Sequence, residues 1–129
     1  ILYCYSLGKS QRILVGLQEF LGTKNFISDV FCHDSICEIN NLYCKSGIRL
    51  PSFRRLSEMK QKSANLILLP PICQNANLLS RFGMYREAMM SGWMMIRGYS
   101  KREHNCKRFI LSDHADWGQI NKVVEYSCA

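Results

Sequence analysis

Short apolar runs alternate with amphipathic stretches along this chain, and that alternation narrows its fold more than any other feature. Ile1–Tyr5 reads as a strand. Residues 9–21 then place Ile13, Leu14, Leu17, Phe20 and Leu21 on one helical face, with Gly22 as the stop. Asn25–Cys32 is a second strand. Ser35 and Glu38 have capping-box spacing, and Ile36, Ile39, Leu42 and Tyr43 carry the helix that runs to Gly47. Residues 52–62 suggest a short basic helix. Asn65–Leu69 is a buried strand closed by Pro70-Pro71, and residues 77–82 suggest a short helix. Met84–Met90 is another strand, with Met94–Ile96 continuing it beyond Ser91-Gly92-Trp93. Phe109–Leu111 is the last strand and is followed by a final helix. Strands alternating with helices point to an α/β fold with a mostly parallel sheet flanked by helices.

With 129 residues the chain amounts to one domain or part of one. No apolar run approaches the roughly 20 residues of a membrane span. The chain opens on Ile1 within a strand and carries no signal-peptide pattern, so we expect a fragment of a longer cytoplasmic protein. The seven cysteines include no C-x-x-C pair, which favours reduced thiols over a disulfide framework or a zinc ribbon. The formal net charge of +7 favours a polyanionic partner such as nucleic acid. Much of the charge lies between Arg97 and Arg108, where Arg97, Lys101, Arg102, Lys107 and Arg108 accompany a single acid, Glu103.

That basic stretch leads into Ser112-Asp113-His114-Ala115-Asp116. Titratable side chains gathered at a strand's C-terminal end stand where open α/β sheets bind ligands. His114 is suited to hydrogen-bond a phosphate or to protonate a leaving oxygen. Asp113 fits a turn, and Asp116, with Gln119 three residues on, fits a helix N-cap. Ser6-Leu-Gly-Lys-Ser-Gln11 is a polar turn into a helix N-terminus, where Lys9 is placed to meet an anion. His33, at another strand end, reads as a surface or capping residue. There is no G-x-S-x-G, P-loop or G-x-G-x-x-G. One histidine and two acids fall short of the three or four ligands of a metal site.

Ser112-Asp-His-Ala-Asp116 resembles motif B of the β-CASP nucleases of the metallo-β-lactamase superfamily. Tyr5-Ser-Leu-Gly-Lys-Ser-Gln11 is similar to the A-L-G-[RK]-A-Q turn that opens their β-CASP segment. Leu69-Pro-Pro71 and Ser91-Gly-Trp-Met-Met-Ile-Arg-Gly98 match in the same order. The pattern looks most like the bacterial ligase-associated DNA exonucleases, also described as mRNA 3′-end processing exonucleases. The resemblance implies a cap over a metallo-β-lactamase core. Residues 1–108 would form the β-CASP-like cap region, and 109–129 the motif B strand and helix returning toward the core.

It further implies a two-zinc phosphodiester hydrolase whose metal ligands lie outside this chain. His114 would face the phosphate, with Ser112 and Asp113 in support. Lys9, Arg97, Lys101, Arg102, Lys107 and Arg108 would contact the DNA backbone. An ATP-dependent DNA ligase and a helicase are the partners such a protein implies. The sequence departs from the family in lacking H-x-H-x-D-H, and Ser10 and His33-Asp34 replace the usual Ala and His-Gly. The chain alone is therefore expected to hydrolyse nothing. Three other readings stand beside this one: an RNA-processing β-CASP nuclease, a non-catalytic nucleic-acid-binding module, and a mononucleotide-binding domain using the Ser6–Gln11 turn.

Overall fold

A computed structural model of the chain describes residues 1–22, 29–60, 64–74, 77–95 and 106–127. Six strands form one sheet: β1 (Leu2–Tyr3), β2 (Val30–Cys32), β3 (Arg54–Arg55), β4 (Leu66–Leu69), β5 (Glu87–Met90) and β6 (Cys106–Phe109). Their order is β3-β2-β4-β1-β5-β6, and every pair is parallel. The α/β architecture expected from the alternation is what the chain adopts. Among the described residues three α-helices accompany the sheet: α1 (Lys9–Leu21), α2 (Asp34–Lys45) and α3 (Trp117–Ser127).

The period of two along each strand divides the core into two layers. Leu2, Cys4, Val30, Cys32 and Leu68 point to one face, where Ile13 and Leu14 of α1 and Ile36 and Cys37 of α2 cover them. Tyr3, Phe31, Ile67 and Leu69 point to the other, beneath Leu56, Met59 and Leu79 from short 3₁₀ segments. Tyr3, Leu68 and Leu69 are completely buried. Each such side chain contributes about 1.5–3 kcal/mol over an exposed one. Tyr3 meets the need of its buried hydroxyl by donating to Glu87 Oε1 at 2.7 Å. The chain leaves β1 for α1 on one face. It leaves the neighbouring β4 for 3₁₀ segments that pack on the other.

Several local expectations are corrected. Of the basic helix expected over 52–62, the described residues (to 60) form instead the short edge strand β3 followed by a 3₁₀ turn at Leu56–Glu58. Arg54 pairs with Asp29 and stacks over Phe31 at 4.5 Å, so side-chain anchors stand in for strand length. Helix α2 is capped by His33, whose Nδ1 accepts from Ser35 N at 3.2 Å, so the Ser35–Glu38 box does not form. Its buried stripe is Ile36, Cys37 and Asn40, while Leu42 is exposed. Asn40 is drawn inward because its Oδ1 accepts from Gln11 Nε2 of α1 at 2.6 Å. Phe20 is likewise exposed rather than part of the α1 face.

Residues 92–95 form a 3₁₀ turn and not a continued strand. The last strand lies upstream of Phe109–Leu111: it is Cys106–Phe109, on the sheet edge, with Phe109 and Ile110 exposed and Leu111 packed against the core. The 108/109 division falls inside this strand. No helix among the described residues is long and apolar enough to cross a membrane, and no disulfide joins the described cysteines.

Candidate functional site

A cleft of about 500 Å³ opens at the C-terminal edge of the sheet, fed by the segments that follow β1, β5 and β6. Tyr5 and Lys9 come from the β1–α1 turn, Ser91, Gly92 and Trp93 from the end of β5, and Ser112, Asp113 and His114 from the end of β6.

Two three-residue turns with one design form the floor and rim. Ser112 Oγ accepts the backbone N–H of His114 at 3.3 Å, and Ser91 Oγ accepts that of Trp93 at 3.3 Å. A serine that satisfies the N–H two residues on shapes the turn locally. The turns touch each other through Gly92, where an added Cβ would stand 3.4 Å from Ser112 Cβ and Oγ. Ser112 thus serves the turn's geometry. His114 is presented at the rim, with its side chain 84% exposed.

The first turn of α1 holds the histidine loop in place. Lys9, with a side chain only 4% exposed, pairs with Asp113, whose side chain is 30% exposed. The ammonium also lies over the Tyr5 ring, 5.1 Å from its centroid. Arg12 Nη1 donates to Ser112 O at 2.8 Å. Lys9 beside Asp113 holds that carboxyl below the usual carboxylate range, so it stays ionised. Gly8 makes this approach possible. It is the centre of a γ-turn with φ +79 and ψ −64, closed by Lys9 N donating to Leu7 O at 3.0 Å. A Cβ there would lie 2.9 Å from Asp113 Oδ2.

Asp113 is therefore more than a turn residue: its carboxylate faces a buried cation and passes 3.8 Å from His114 Nε2. Asp116 caps α3 in a reciprocal box, its Oδ1 accepting from Gln119 N at 2.8 Å while its own N–H donates to Gln119 Oε1 at 3.0 Å.

Ser112, Asp113, His114 and Lys9 are thus brought together. Lys107 and Arg108 lie on β6, outside the cleft, with Lys107 exposed to solvent. Arg97, Lys101 and Arg102 lie outside the described residues. Sequence reasoning did not single out Tyr5, Gly8, Arg12, Gly92 or Trp93 as site residues. Their signal was position, since Tyr5, Gly8, Gly92 and Trp93 fall within five residues of a strand's C-terminal end and Arg12 lies in the first turn of the helix that follows β1. His33 belongs to a separate polar ridge, with Nδ1 at 2.9 Å from Ser35 Oγ and that hydroxyl 3.0 Å from Ser6 Oγ.

The cleft does not fit a zinc ion by itself. Among the described residues no three His, Cys, Asp or Glu side chains converge, and Asp113 is engaged by Lys9. The arrangement instead offers one exposed imidazole, two exposed aromatic rings and a charge pair that cancels internally.

No family model matches the chain, and no solved structure matches it. A probable DNA ligase of Opitutus terrae is 30% identical to it over 125 residues. The match covers 97% of this chain and 12% of that relative, so the chain spans about an eighth of the relative's length.

Proposed function

We propose that this chain forms one wall of the active site of a DNA-processing enzyme, a zinc-dependent nuclease that trims DNA ends in a ligase-associated pathway. The observation that carries the reading is convergence. Three segments that resemble β-CASP motifs, far apart in sequence, meet in one cleft and present His114 at its rim. Similarity across nearly the whole chain to part of a probable DNA ligase supports a role on DNA. The net charge of +7 supports a polyanionic substrate.

In this reading His114 binds a non-bridging phosphate oxygen or gives its proton to the departing 3′- or 5′-oxygen. Asp113 and Arg12 fix the loop so that the imidazole meets the substrate in one orientation. The zinc ions belong to ligands outside this chain, and what the described residues supply is binding, orientation and a proton.

The test is digestion of end-labelled DNA by the complete protein. Progressive shortening of the labelled strand, abolished by a chelator and restored by zinc, is the expected result. Tight, salt-dependent binding with no hydrolysis under any metal would overturn the nuclease reading and leave a binding module in its place. An enzyme that degrades RNA and leaves DNA intact would overturn the substrate assignment.

A further inference from the structure

Among the described residues the cleft's paired charges, Lys9 and Asp113, cancel, and this bears on which part of a nucleic acid it can hold. Among the described residues Lys9 is the one Lys or Arg lining it, buried and paired with Asp113. Arg12 is engaged with a backbone carbonyl. What faces the open space is aromatic: Tyr5 is 47% exposed and Trp93 58% exposed, although both line a concave site. Exposed large aromatics gathered in a cleft are the surface on which nucleobases stack, independent of sequence. The Lys9 ammonium over the Tyr5 ring holds that ring in place, and the Ser91 hydroxyl holds the turn carrying Trp93. The Tyr5 ring and the turn that carries Trp93 are thus placed before any ligand arrives. A volume of about 500 Å³ is the size of a small-molecule site and suits a single nucleotide better than a duplex.

We infer that the cleft is a base-stacking subsite for one unpaired nucleotide, with Tyr5 and Trp93 as its platforms and His114 at its mouth. The substrate class is then a single-stranded or frayed DNA end. The scissile phosphate then sits at the mouth beside His114, and the rest of the backbone runs outside the cleft, where Lys107 on the β6 edge is an exposed cation. This deepens the reading of the chain as DNA-processing and rests on it.

The chain holds two tryptophans, Trp93 and Trp117, so Trp117→Phe leaves Trp93 as the single reporter. In that background, an eight-nucleotide oligothymidine and an abasic oligomer of equal length are titrated against intrinsic fluorescence. The oligothymidine should quench Trp93, and the abasic strand should not. With binding read instead as the anisotropy of a fluorescently labelled strand, Trp93→Leu should weaken oligothymidine binding about 5- to 150-fold, the range of one base–aromatic stack, and leave abasic binding unchanged. Both rings are solvent-exposed, so these variants fold; Tyr5→Leu provides a second, independent loss. Equal binding and equal quenching by the two strands would overturn the stacking subsite and leave the DNA reading standing. No binding of either strand at low salt would overturn both.

Discussion

Lys9 and Asp113 form an asymmetric pair, and the asymmetry predicts which partner matters more for stability. Lys9 is 4% exposed at its side chain and cannot be rehydrated without opening the first turn of α1. Asp113 is 30% exposed and already reaches water. Asp113→Ala strands a buried cation, so its cost approaches the 3–5 kcal/mol of a broken buried pair, reduced by partial exposure to about 2–4 kcal/mol. Lys9→Met keeps the aliphatic stem packed and leaves a carboxylate that solvent can reach, so its cost stays near the roughly 0–1 kcal/mol of a surface pair. The double variant should be more stable than Asp113→Ala alone, because no charge is stranded. Urea denaturation of the four proteins closes the cycle. Equal costs for the two single variants, or a double variant that simply adds them, would refute the claim that Lys9 is the buried member.

Three further outcomes follow from the same geometry. Gly8→Ala should destabilise by about 1–3 kcal/mol, since the position is left-handed and the new Cβ meets Asp113; in an Asp113→Ala background the cost should shrink, because the carboxylate is gone. The lowered Asp113 carboxyl contributes stability that is present above the unfolded carboxylate value of about 3.9 and lost as pH falls through the folded one, so urea midpoints should drop more steeply below about pH 4 in the wild type than in Asp113→Asn. Burial pushes the Cys4 thiol up to about 12, so a thiol reagent at about pH 8 should modify exposed Cys44 promptly and Cys4 only on unfolding.

The sheet was legible because its central strands are purely apolar: Leu66–Leu69 can be little else, and Pro70 ends it. Strand β3 was not, since Arg54-Arg55 carries no strand pattern and is held by Asp29 and the Phe31 ring. On β6 the apolar run Phe109–Leu111 drew attention downstream. The paired residues are Cys106–Phe109, where an edge position lets Lys107 face solvent. At the site, Ser112, Asp113 and His114 could be read from chemistry crowded at a strand end. The Lys9–Asp113 contact joins residues 104 apart, and no local rule announces it. The same holds for Gly92 against Ser112: the sequence marks a glycine, and only the fold shows what it must admit.

The central claim is that His114 acts on the scissile phosphate, and of its two proposed roles proton donation to the leaving oxygen is the one the leaving group itself can test. In the complete protein, His114→Ala should slow single-turnover cleavage of ordinary DNA by about 10²–10⁴-fold, the usual worth of general acid catalysis. A DNA substrate with sulfur in place of the bridging leaving oxygen departs as a thiolate and needs no proton. On that substrate the same variant should lose far less, bringing the two enzymes within about 10-fold of each other. An equal slowdown on oxygen and sulfur substrates would contradict proton donation, and an unchanged rate on ordinary DNA would remove His114 from the chemistry altogether.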